Sequence, residues 1–144
     1  MVVAIFGESC VGKSMLAEEL KRRIDAQVFS GKDYLRLAKS EPIARKLFEK
    51  KLREAVSGEN IVYVISEREH MALIPDGALR VLVTAELSVI LERFARRMHG
   101  NLPEPVRAML EKKHGMFDAE AWDYHVSGDA DAGAVCRAIA EKIG

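Results

Sequence analysis

Residues Gly7-Glu8-Ser9-Cys10-Val11-Gly12-Lys13-Ser14 restrict what this chain can become more than any other stretch. They follow the apolar run Val2-Val3-Ala4-Ile5-Phe6, which reads as a buried parallel strand. They lead into a segment with Leu16, Leu20 and Ile24 at helical spacing. Strand, glycine-bounded loop and helix, in that order, are the context in which the spacing G-x-x-x-x-G-K-S/T forms a phosphate-binding loop.

The residue types suit that chemistry. Glycines let the backbone turn tightly, so successive N–H groups from Gly7 and Glu8 through Ser9, Cys10, Val11 and Gly12 converge on phosphate oxygens. A helix starting near Gly12 adds the positive end of its dipole beneath the same anion. Lys13 would reach the β- and γ-phosphates of ATP, and the Ser14 hydroxyl would hold Mg²⁺.

The rest of the composition narrows the setting. At 144 residues the chain suits one domain, 1–144, large enough to bury a core. Acidic and basic residues balance at 22 each, which argues against a nucleic-acid or membrane-surface partner. No apolar run is long enough to span a bilayer, and the N-terminus enters a strand without a signal-peptide pattern. Two cysteines, Cys10 and Cys136, make no disulfide framework, so the reading is a reduced, cytoplasmic protein. Cys10 beside phosphate-binding amides reads as a redox-sensitive thiol or as a small side chain filling the loop. The histidines His70, His99, His114 and His125 lack zinc-site spacing.

Further elements follow from pattern. Gln27–Ser30 reads as a second strand, and Gly31 through Lys39 begins a helical region that Pro42 breaks. Ile43, Leu47, Leu52 and Val56 carry a helical period to a stop at Gly58. Ile61–Ile65 and Leu79–Val83 read as buried strands separated by a turn at Pro75-Asp76-Gly77. Leu87, Ile90, Leu91, Phe94 and Met98 line one face of a helix, with Arg93, Arg96 and Arg97 off it. A helix from about Val106 to His114, a short strand at Tyr124–Ser127 and a closing helix through Val135, Ile139 and Ile143 complete the chain. This alternation predicts an α/β fold of the P-loop type, a three-layer α/β/α sandwich around about five parallel strands. Ligands sit at the carboxyl ends of such strands, which puts 7–14, 30–36, 66–70 and 127–129 on one rim.

Three stretches resemble the nucleoside monophosphate kinases, the cytidylate kinase branch in particular. Arg68 followed by Ile74-Pro75-Asp76 and then Thr84-Ala85 is similar to that family's arginine turn, Pro-Asp segment and next strand. Ser30-Gly31-Lys32-Asp33-Tyr34-Leu35-Arg36 resembles its Ser/Thr-Gly-x-x-Tyr-Arg turn, with one extra residue. Trp122-Asp123-Tyr124-His125-Val126 is similar to an aromatic segment of a cytidylate-kinase-like subgroup. The resemblance implies ATP-dependent phosphoryl transfer to a nucleoside monophosphate, CMP or dCMP by the nearest pattern.

It also implies roles. Arg36 and Arg68 would grip the acceptor phosphate, while Arg93 and Arg97, opening a lid-like region at about 93–115, would reach the donor phosphates. Ser127, Gly128 and Asp129 would border the adenine. Where the family carries an acidic residue after the third strand, this chain has Ser66-Glu67, leaving Glu67 as the candidate for the metal's water shell. Asp33 is the other carboxylate, for metal or acceptor. The acceptor region is cut down to about 31–57, which leaves two alternatives open: a non-nucleotide acceptor, or an ATP-binding regulatory module without transfer. Shikimate-kinase-like proteins share the loop and the size, but their paired acidic residues and triple-glycine turn are not found. Whether the chain is a monomer or a dimer stays open.

Overall fold

The computed structural model describes residues 1–127 and 129–143, without the side chains of residues 129 and 130. Strand β1, Val2–Phe6, runs into helix α1, Lys13–Ile24, and returns through β2, Gln27–Ser30. A 3₁₀ turn at Asp33–Leu37 precedes α2, Glu41–Ala55, and β3, Ile61–Ile65. A second 3₁₀ turn, Arg68–Leu73, leads to β4, Leu79–Val83. Then come α3, Leu87–Arg97, α4, Glu104–Lys113, β5, Tyr124–Val126, and α5, Asp129–Ile143. The strands form one sheet in the order β2-β3-β1-β4-β5, with every neighbouring pair parallel.

The apolar runs explain the middle of that order. β1 and β3 are buried along their whole length and pair in register from Val2–Ile61 to Phe6–Ile65. Their lack of polar alternation is what a strand covered on both faces requires. Val3 and Ile5 point into a core with α1, α3, α4 and α5. Val2 and Phe6 point into the opposite core, with α2 and both 3₁₀ turns. Three layers result.

The α2 region differs from the sequence reading. Pro42 sits in the first turn of α2 rather than breaking a helix, because an unbonded N–H is normal there. The buried stripe is Ala44, Phe48, Leu52 and Ala55, whereas Ile43 and Leu47 are 55% and 44% exposed. Phe48 decides the rotation. Its ring packs against Phe29, Tyr34 and Tyr63, and burying it turns the Ile43–Leu47 edge outward. The closing helix also starts earlier than the apolar pattern suggests, at Asp129.

Because all strands are parallel, their carboxyl ends share one rim. The segments after Phe6, Ser30, Ile65, Val83 and Val126 all begin there.

Candidate functional site

At the first of these strand ends, Gly7 is required for space. A Cβ on it would lie 2.3 Å from the Val83 carbonyl oxygen and 3.0 Å from a Val11 methyl. Gly12 is required for conformation, since its φ of 105° lies where L side chains are rarely found. Cys10 also takes a positive φ, 65°, so the loop curls back on itself before α1 begins. No side chain caps the start of α1 and its first turn holds no acidic residue. The free N–H groups there are a ready anion site.

Lys13 is folded into this loop. It is only 6% exposed, and its ammonium donates to the carbonyls of Gly7 at 2.7 Å and Glu8 at 2.6 Å. Burial lowers its pKa from 10.5 to about 8, with Cys10 opposing that shift and Arg97 adding to it. Arg93 reaches over from α3 and donates to the Cys10 carbonyl at 3.0 Å. Lys13, Arg93 and Arg97 together line a cleft of about 610 Å³, with the loop residues Ser9, Gly12 and Ser14 in its wall.

Across the cleft stand residues the motif reading did not assign. Ser30, Gly31 and Ser66 form that wall. Ser30 closes β2, Gly31 follows it and Ser66 follows β3; the strand-end position pointed to all three, and the turn resemblance pointed to Ser30 and Gly31 as well. Gly31 is held by the buried Tyr63 hydroxyl, which donates to its carbonyl at 2.8 Å. Burial pushes the Tyr63 phenol well above its usual range.

A second cleft, of about 770 Å³, opens on the other side of the same loop. Val83, Thr84, Ala85, Val126 and Ser127 line it, and Gly12, Ser14, Met15 and Arg93 are shared by both clefts. Thr84 Oγ1 lies 2.7 Å from His125 Nε2, and the Ser127 hydroxyl donates to Asp131 at 3.1 Å. The second cleft is mostly apolar, with Glu18, Glu19, Arg22 and Glu86 also in its lining, and the two clefts together form a concave surface around the loop of the kind that takes small ligands.

Other expected residues lie apart from this lining. Arg36 is exposed and stacks over the Phe29 ring, 4.5 Å from its centroid. Asp33 accepts from the Ser30 N–H at 2.8 Å. Arg68 is 62% exposed and lies 3.7 Å from Glu120, and Glu67 lies 3.9 Å from Lys113. None of these four lines either cleft. Glu8 contributes its backbone carbonyl to Lys13, while its side chain turns to His114 and Gly115. Gly128 and the Asp129 side chain fall outside the described residues.

Among the described residues no group of three or more His, Cys, Asp or Glu could hold a metal by itself. The Ser14 hydroxyl in the wall of the first cleft is an oxygen donor of the kind Mg²⁺ takes, and Glu67 lies outside that lining. No helix among those described is long and apolar enough to cross a membrane.

No family model matches the chain, and no curated protein matches it either. Solved structures do. The Deinococcus radiodurans tunicamycin resistance protein aligns with a TM-score of 0.64 at 20% identity, over 99% of this chain and 95% of that one. A gluconokinase from Sinorhizobium meliloti 1021 aligns at 0.63 and 17%, over 99% and 94%. Shikimate kinase from Aquifex aeolicus vf5 aligns at 0.57 and 16%, over 99% and 96%. At these identities the likeness concerns architecture, and it is end to end: this chain has the three-layer fold of P-loop kinases.

Proposed function

We propose that this protein is an ATP-dependent phosphotransferase acting on a small molecule, with a nucleoside monophosphate of the CMP type as acceptor. One observation carries the reading: Lys13, Arg93 and Arg97 converge with the uncapped start of α1 on a cleft that continues into an apolar slot. Phosphoryl transfer needs two substrates held in line and the charge on the moving group neutralised, with little covalent help. The loop amides and Lys13 would hold the donor phosphates, and the Ser14 hydroxyl would hold the metal. Bound Mg²⁺ supplies charge neutralisation across the β- and γ-phosphates. Arg93, in the lid-like region, would exchange its bond to the Cys10 carbonyl for phosphate oxygens, and Arg97 would join it there. Ser127 would border the adenine with residues 128 and 129.

A second acceptor class has its own support. Arg36 is stacked on Phe29 and Arg68 faces Glu120, so neither is directed to the cleft as an acceptor-phosphate clamp would be. Ser30 and Ser66 line the cleft instead, and their hydroxyls would meet an uncharged polar group. This favours a non-nucleotide metabolite, with the same donor chemistry. Coupled assays of ADP release, with MgATP and a panel of monophosphates, sugar acids and hydroxy acids, separate the readings. Turnover with CMP or dCMP supports the first, and turnover only with a non-nucleotide supports the second. MgATP binding without transfer to any acceptor would leave a regulatory nucleotide-binding module.

A further inference from the structure

Glu8 places a carboxylate beside the phosphate cup, where its charge would repel the anion the cup is shaped to bind. Its side chain is only 11% exposed, yet it does not line the cleft that Ser9, Cys10, Gly12 and Lys13 line. Both oxygens are engaged elsewhere: Oε1 lies 2.9 Å from His114 Nδ1, and Oε2 accepts from the Gly115 N–H at 3.1 Å. These partners sit 106 and 107 positions along the chain, just past the end of α4. The segment they belong to is pinned a second time, where Phe117 packs on Phe6 with ring centroids 5.7 Å apart. Gly115 itself holds a φ of 84°, and a Cβ there would come within 2.9 Å of the Asp118 carboxylate.

We propose that Glu8 is a positioning residue whose carboxylate is held out of the phosphate cup by His114 and the Gly115 amide. The same residue gives its backbone carbonyl to Lys13, so the segment after α4 is linked through Glu8 to the ammonium in the cup. This rests on the nucleotide-site reading above but needs no phosphoryl transfer. Freed from its partners, the carboxylate would swing towards the polyphosphate and oppose binding, with an effect that fades in salt.

The test is calorimetric titration of the full chain with MgATP at low and high ionic strength. Glu8→Asp keeps the charge but shortens the arm, so it loses the clasp, whereas Glu8→Gln removes the charge. At low salt Glu8→Asp should bind MgATP at least about fivefold more weakly than Glu8→Gln, with the gap narrowing at high salt. His114→Ala should likewise weaken binding about fivefold in the wild-type background and less than about twofold in the Glu8→Gln background. Equal affinities for Glu8→Asp and Glu8→Gln, or the same His114→Ala loss in both backgrounds, would overturn the proposal. If wild type binds MgATP but phosphorylates nothing, the kinase reading fails while this comparison still stands. If wild type does not bind MgATP at all, both fall together at the first titration.

Discussion

Replacing Lys13 with Met should change the pH dependence of stability by an amount the structure sets. Burial lowers the Lys13 pKa from 10.5 to about 8, so the folded state resists carrying this charge. At pH 7 the unfavourable contribution is roughly 3 kcal/mol, at about 1.4 kcal/mol for each tenfold change in proton affinity. The sign follows from proton counting. Between about pH 8 and 10.5 the unfolded chain binds more protons than the folded one, so the cost is full below this window and is relieved as pH rises through it. From pH 7.5 to 9.5 the wild type should gain about 2 kcal/mol relative to Lys13→Met. Loss of the bonds to the Gly7 and Glu8 carbonyls costs the variant about 1 kcal/mol each, but at every pH, so it cancels from the difference. Urea denaturation of both proteins at pH 7.5, 8.5 and 9.5 measures this directly. A stability difference that stays flat over that range would refute the picture of a desolvated ammonium locked inside the loop.

Three further outcomes are expected. Gly7→Ala forces a Cβ to 2.3 Å from a backbone oxygen of β4 and should cost about 1–3 kcal/mol, seen as a lower urea midpoint; an unchanged midpoint would mean the strand end yields freely. His70 is 3% exposed with neither ring nitrogen hydrogen-bonded among the described residues, so His70→Phe should stabilise by about 1 kcal/mol and raise the melting temperature by about 2–4 °C. A lower melting temperature would show that the ring has a partner. Arg93→Ala removes the donor to the Cys10 carbonyl at the junction of both clefts and should weaken MgATP about tenfold by calorimetry; equal affinity would remove Arg93 from the site.

Much of the framework was readable from local pattern. The strands at Val2–Phe6, Gln27–Ser30, Ile61–Ile65 and Leu79–Val83 fall where the apolar runs and bounding glycines put them. β1 and β3 are buried along their whole length and carry unbroken apolar runs, whereas β2 and the start of β4 are partly exposed. Helix α2 was harder, because Ile43–Leu47 and Ala44–Phe48 offer two stripes at the same spacing. The choice rested on which one meets Phe29 and Tyr63 across the fold. The loop Gly7–Ser14 announced itself, since its chemistry is written in consecutive residues. The clasp between Glu8 and residues 114–115 had no local signature, as the partners are over a hundred positions apart. The same holds for Arg36 and Arg68. The resemblance to nucleoside monophosphate kinases implied contacts to the acceptor phosphate, but Phe29 and Glu120 are their neighbours here.

Titration calorimetry of wild type and Lys13→Ala with MgATP tests the account at its root. The arrangement of free amides, buried ammonium and Ser14 predicts one binding event per wild-type chain, lost or weakened more than about a hundredfold in Lys13→Ala. No heat with wild type, or equal affinity in the two proteins, would contradict it.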